Sequence, residues 1–302
     1  MKKFTLSLTR TVAMTTVVCS ALIASVQTHA ADILTATPVT YLLASELTQS
    51  TPLTTDYLPP KRYGVTRLPN WFASKGDVLS QQAAKKAQVA VTIQAIWPQD
   101  PLYVYARQGN IRLVEVDASQ AISPRAQGVA ALMLDSGEIS PYAWLNPTNI
   151  SRMAAIVSED LQKVWPEHAT IIEKNQQGLM IEVRKLINQQ QNTLMEAGID
   201  SVILLSSELE DFASGNQLFV VDRLTKPELE WNNEDIQQLQ TLLTDDPNTW
   251  LLTSKRLSKK IKDLLPKETK ILTIDSIDRW GGKGIDKENP LERWYVELPI
   301  SS

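Results

Sequence analysis

The stretch Ser140-Pro141-Tyr142-Ala143-Trp144-Leu145-Asn146-Pro147-Thr148-Asn149, followed by nearly fifty residues of helical pattern, decides how the rest of the chain is read. Thr148 or Asn149 is placed to cap the first helix, because a short side-chain oxygen accepts from the free N–H groups of an opening turn. Apolar residues recur at Ile150, Met153, Val157, Leu161 and Val164, the spacing of one buried helical face. Pro166 ends that helix and opens the next, since its missing N–H costs nothing in a first turn. The second helix carries Ile172, Leu179, Val183, Leu186 and Leu194 and runs to Gly198. At about 1.5 Å per residue, some thirty residues reach roughly 45 Å, more than the width of one small domain. A helix of that length is expected to lie across two lobes.

On the N-terminal side, Ile33 to Leu47 reads as a strand followed by a helix. Thr51 to Asn70, with prolines at 52, 59, 60 and 69, reads as a long irregular loop. Trp71 to Ala87 suits a helix opening at Gly76 and Asp77, and Gln88 to Ile96 is a Val- and Ile-rich strand. Asp100 precedes Pro101 as the cap of a short helix to Gln108, and Ile111 to Val116 is the next strand. Strand, helix, strand at this spacing is a right-handed crossover between parallel strands. Ligands of such sheets sit beyond the carboxyl ends of the strands, where Trp97, Asp100 and Asp117 fall.

The C-terminal side repeats the logic. Ser201 to Leu205 is a strand with Ser206 to Phe212 beyond its carboxyl end, and Leu218 to Val221 is a short apolar run. Asn232 to Leu243 is helical with Asn232 or Asn233 as cap, and Asn248 to Leu252 is a strand. Lys255 to Leu265 is a basic amphipathic helix, and Lys270 to Ile274 is a strand with Asp275 and Asp278 directly after it. Gly281, Gly282 and Gly284 mark a mobile loop that is not spaced to cradle a phosphate, and Arg293 to Leu298 is expected to pack back on a lobe. The fold class is therefore α/β, two lobes with mostly parallel sheets bridged by one long helix. The expected divisions are a signal peptide over 1–30, an N-terminal lobe over 31–165, the linking helix over 166–198 and a C-terminal lobe over 199–302.

The signal peptide rests on Lys2, Lys3 and Arg10, an apolar stretch from Thr11 to Val26, and Thr28-His29-Ala30 as a cleavage site. Cleavage there implies a periplasmic location. Losing those three cations and no acids moves the formal charge from -4 to -7, which disfavours nucleic acid or an anionic membrane surface as partner. It also removes Cys19 and His29, so the mature chain has no Cys and only His168. Thiolate sites and His-activated nucleophiles are thereby excluded, and a metal would have to be held chiefly by oxygen.

The order of irregular loop, Pro-Tyr-x-Trp-Leu-x-Pro at 141–147, capped helix, proline break and long helix resembles the metal-ion class of ABC-transporter periplasmic solute-binding proteins, the zinc and manganese binders. The resemblance implies a TroA-like fold that is no enzyme, a divalent metal ion as transported ligand, a monomer, and an ABC permease as membrane partner. In that family the 141–147 segment carries a ligand His, where Tyr142 stands here, and a His-x-Tyr-x-Pro loop carries another, where Thr55 stands ahead of Asp56-Tyr57-Leu58-Pro59. The third ligand position matches Ser207 or Glu208 and the fourth matches Asp275. Thr55, Tyr142, Glu208 and Asp275 hold two anions and no imidazole. Such a set suits manganese, magnesium or calcium better than zinc, which prefers nitrogen and sulfur.

Trp97, Asp100, Tyr57 and Ser207 are the further cleft candidates. Aromatic faces beside a few polar groups also suit a metal complex or an organic solute. Each residue has a structural reading too: Asp275 and Asp100 as caps, Glu208, Glu210 and Asp211 as a solvated face, and Tyr142 and Trp144 as a wedge between lobes. The alternative function is a secreted accessory protein that keeps the fold and has lost metal binding.

Overall fold

The computed structural model describes residues 31–121 and 127–299, so the expected signal peptide lies outside the described residues. Each half contributes one four-stranded sheet. The first has the order β2-β1-β3-β4, from β1 (Ile33–Thr35), β2 (Thr55–Tyr57), β3 (Val89–Thr92) and β4 (Val114–Asp117). The second has the order β6-β5-β7-β8, from β5 (Ser201–Leu204), β6 (Phe219–Arg223), β7 (Trp250–Thr253) and β8 (Ile271–Thr273). Every pairing is parallel. Parallel strands must be joined by crossovers that cover the sheet, which is why β1, β3 and β7 are buried along their whole length.

The helices are α1 (Pro38–Leu47), α2 (Leu68–Trp71), α3 (Asp77–Ala84), α4 (Leu102–Gly109), α5 (Pro147–Val164), α6 (Ala169–Glu196), α7 (Glu210–Gly215), α8 (Asn233–Asp245) and α9 (Lys259–Leu264). Their ends follow the local chemistry. Thr37 and Thr40 close a reciprocal box at the start of α1, and Asn232 and Asp235 do the same for α8. None of the described helices is long and apolar enough to cross a membrane.

Three local expectations are revised. The segment expected to be wholly irregular contains β2, which the pairing of Ile33 with Thr55 and of Thr35 with Tyr57 stabilises from across the sheet. The helix expected over 71–87 is broken by a wide turn at Phe72–Gly76 before α3. The cap of α5 is Asn146, whose side chain accepts from Thr148 N–H at 3.0 Å, because Pro147 already occupies the first helical position. Asn149 instead clamps the preceding loop, bonding both N–H and C=O of Ala130 and the carbonyl of Ala143.

α6 has 28 residues, about 42 Å at its usual rise. Its buried positions are Ile172, Leu179, Val183, Leu186, Gln190 and Leu194. Toward its start, Asn175 donates to the carbonyls of Leu47 and Gln49 after α1. Toward its end, Gln189 and Gln190 donate to the carbonyls of Val296 and Trp294. One contiguous apolar core runs from β1 and β3 through α5 and α6 to β5, β7 and β8, while a smaller cluster sits under α8 and α9. Trp144, fully buried, joins the two halves: its indole N–H donates to Ser276 O at 3.1 Å and its carbonyl accepts from Trp294 Nε1 at 2.9 Å.

Candidate functional site

The segment leaving β8 makes several contacts with the first lobe. Asp275 Oδ1 accepts from Ile277 N–H at 2.9 Å, and Ile277, fully buried, takes φ of 53°. A β-branched residue in that region costs on the order of 1–3 kcal/mol, a strain the surrounding packing must hold in place. The turn delivers Asp278 to the opposite lobe, where a Cβ built on Gly64 would lie 2.1 Å from its Oδ2. Two residues on, Trp280 packs against Tyr41 and Tyr57, each with ring centroids 4.7 Å away. Gly281 N–H then donates to Lys61 O at 2.7 Å. The glycine loop is thus tied down: Gly284 folds its N–H back on Trp280 O, with φ of 67°, where a Cβ would meet the indole at 2.5 Å.

Beside this clasp, Tyr142 and Asp278 are both partly desolvated, and the charge of Glu208 reaches each of them. Burial raises the Tyr142 hydroxyl above its ordinary range, and the charges of Glu208 and Asp278 raise it further. Burial also raises Asp278; Arg279 opposes this, Glu208 and Asp275 add to it, and Lys255 opposes. Tyr57 is raised by burial and, more weakly, by Asp278. The loop that places Tyr142 is anchored by Ser140, whose Oγ accepts from Tyr142 N–H at 3.2 Å. Ser140 also donates to Asp211 of α7, whose carboxyl is pushed up to about 6 by burial despite that bond.

Of the residues expected at the site, Glu208 is near enough to Tyr142 for its charge to reach the hydroxyl. Asp275 adds its charge to that on Asp278, but both of its oxygens are engaged, Oδ1 with Ile277 N–H and Oδ2 with Arg293 Nε at 2.9 Å. Thr55 does not join them. It opens β2 rather than following it, and it borders depressions lined by Tyr41, Glu46, Tyr57 and Trp280. Trp97 lines a depression of ≈ 450 Å³ with Ile96, Gln99, Glu138 and Tyr142. Asp100 is turned inward, 3% exposed, accepting from Ile93 and Leu102 N–H. α4 starts one residue later than expected, with Pro101 rather than Asp100 at its N-cap and no side-chain cap, so Asp100 lies just outside the helix, and burial lifts its carboxyl to about 7. Ser207 is exposed at the start of a single 3₁₀ turn, Ser207–Leu209. Sequence reasoning noted Asp278 without giving it a role and missed Gly64, Trp280 and Arg293. The spacing of Asp275 and Asp278 directly after one strand was the available signal.

Among the described residues, no three His, Cys, Asp or Glu side chains are arranged to hold a metal ion. Two carboxylates and a phenol offer oxygen only, which fits a hard cation that keeps part of its water shell and does not fit a closed zinc tetrahedron.

Solved structures with this fold include a ZnuA crystal structure, 18% identical over 82% of this chain and 92% of that one, with a TM-score of 0.63. The metal-dependent lipoprotein YcdH from Bacillus subtilis is 17% identical, covers 85% and 90%, and scores 0.64. The Zn(II)-bound ZnuA-like domain of Streptococcus pneumoniae AdcA is 15% identical, covers 87% and 94%, and scores 0.64. At such identities the likeness establishes the fold alone. No curated protein matches in sequence. The model of the family described as zinc-uptake complex component A, periplasmic, matches residues 70–289 of the 302. That span takes in Tyr142, Glu208, Asp275 and Asp278, and the chain belongs to the ZnuA family.

Proposed function

We propose that this protein is a periplasmic solute-binding subunit of an ABC importer that captures a divalent metal ion, or a complex of one, between lobes 31–165 and 199–302 and presents it as a monomer to an inner-membrane permease. What supports this reading is that Asp278 of the second half reaches Gly64 of the first and that the charges of Glu208 and Asp278 both reach the Tyr142 hydroxyl, in a chain of this family. Glu208 and Asp278 are the anions facing the ligand, and Tyr142 is a neutral oxygen donor. Asp275 and Thr55 would join only after a rearrangement, Asp275 by leaving Arg293. Without imidazole, manganese, magnesium or calcium should bind in preference to zinc. The α6 brace and the Trp144 and Trp280 contacts keep lobe movement small.

Calorimetry of the protein lacking residues 1–30, with manganese, calcium, zinc and iron, tests this. Binding lost in Glu208→Gln and Asp278→Asn supports it, and absence of heat with every ion removes it. One observation favours the accessory reading instead: Asp278 already fills the space at Gly64 and Asp275 is already paired. On that reading no ion raises the melting temperature.

A further inference from the structure

Three carboxylates follow strands of the second sheet at their carboxyl ends, Glu208 after β5 and Asp275 and Asp278 after β8, and Asp278 senses the charge of both others. Left alone, such a group would attract a cation. The chain supplies one. The Arg293 side chain is only 7% exposed, and its Nε donates to Asp275 Oδ2 at 2.9 Å. Its Nη1 donates to three backbone carbonyls, those of Arg279 at 3.1 Å, Trp280 at 3.3 Å and Gly284 at 3.4 Å. One carboxylate oxygen and three carbonyl oxygens are the donors that a hard divalent ion would take. Here a guanidinium, always protonated, occupies them.

We infer that Arg293 is the specificity-determining residue of the cleft: it is a resident cation that holds Asp275 and the 279–284 carbonyls, leaving an entering ion only Glu208, Asp278 and Tyr142. The inference rests on the reading that the solute binds between the lobes. Asp275 spends both oxygens, one on Arg293 and one on Ile277 N–H, so neither is open to an ion.

Arg293→Gln empties the oxygen cage while keeping a polar side chain. Calorimetry with manganese and calcium chloride should then show affinity rising about tenfold or more over the wild type, because a fixed positive charge a few ångströms from the ion is gone. Arg293→Lys, which keeps the charge, should show no such gain, and Arg293→Gln with Asp275→Asn should lose it. A folded Arg293→Gln protein with no gain, or a gain that survives Asp275→Asn, overturns the inference. Should Arg293→Gln not fold, the Nε–H resonance of Arg293 in the wild type decides. It should persist at saturating calcium, and its loss would show the ion displacing the guanidinium. The wild type's own response to metals reports on the parent reading, and the difference between variant and wild type reports on Arg293.

Discussion

Gly64→Ala is the sharpest probe of how the two lobes meet. The backbone at Gly64 has φ of -92°, which alanine adopts freely, so the substitution carries no conformational penalty of its own. By restricting the unfolded chain it should even stabilise by about 0.4–1 kcal/mol. Against that, the new methyl would lie 2.1 Å from Asp278 Oδ2 and 2.9 Å from its Cγ, so the carboxylate must leave. Overpacking of this kind costs about 1–3 kcal/mol, so after that gain the net loss should lie between about 0 and 2.6 kcal/mol, toward the lower end because a carboxylate tip can swing aside. For a chain of this size each kcal/mol is worth about 2–4 °C in melting temperature. Asp278→Ala removes the clashing atoms, so in that background Gly64→Ala should change from harmful to neutral or slightly favourable. Thermal and urea unfolding of the wild type, the two single variants and the double variant form the cycle. If Gly64→Ala costs the same in both backgrounds, to within about 0.5 kcal/mol, Asp278 does not rest on Gly64 and the closed contact described above is wrong.

Trp144→Phe keeps an aromatic ring but leaves the Ser276 carbonyl without its 3.1 Å donor, so stability should fall by about 1–3 kcal/mol, measured by urea unfolding. Asp211 is 2% exposed and its carboxyl is raised to about 6, so the folded state holds its proton longer than the unfolded chain. The stability it provides is complete below the unfolded value near 4 and is lost as pH rises through about 6; Asp211→Asn should therefore gain on the order of 1–3 kcal/mol at pH 8 and flatten that part of the pH profile. Arg223 links Asp135 of one half to Glu210 of the other at 3.4 and 2.7 Å, but it is 39% exposed, so Arg223→Ala should cost less than about 1 kcal/mol, and a larger loss in unfolding experiments would mean that this surface pair braces the lobes.

Much of the architecture was legible because it is written in local periodicity. The apolar steps of α5 and α6, the buried β-branched runs of β3 and β5, and the cap at Asn232 each report the face of one element, and each needs only near neighbours to be read. The strand β2 was not legible. Thr55-Asp56-Tyr57 is short, polar on its own terms and flanked by prolines, and only pairing with β1 makes it a strand.

The same division runs through the site. Sequence position marked Glu208 and the pair Asp275 and Asp278 as lying at strand ends, and the motif at 141–147 marked Tyr142. Asp275 is engaged by Arg293, eighteen residues beyond it, and Asp278 rests where Gly64, more than two hundred residues before it, has no side chain. A carboxylate's availability depends on the charge that reaches it, and that charge comes from wherever the fold places it. Periodicity determines which surface an element buries, and the tertiary structure alone determines which charges are already spoken for.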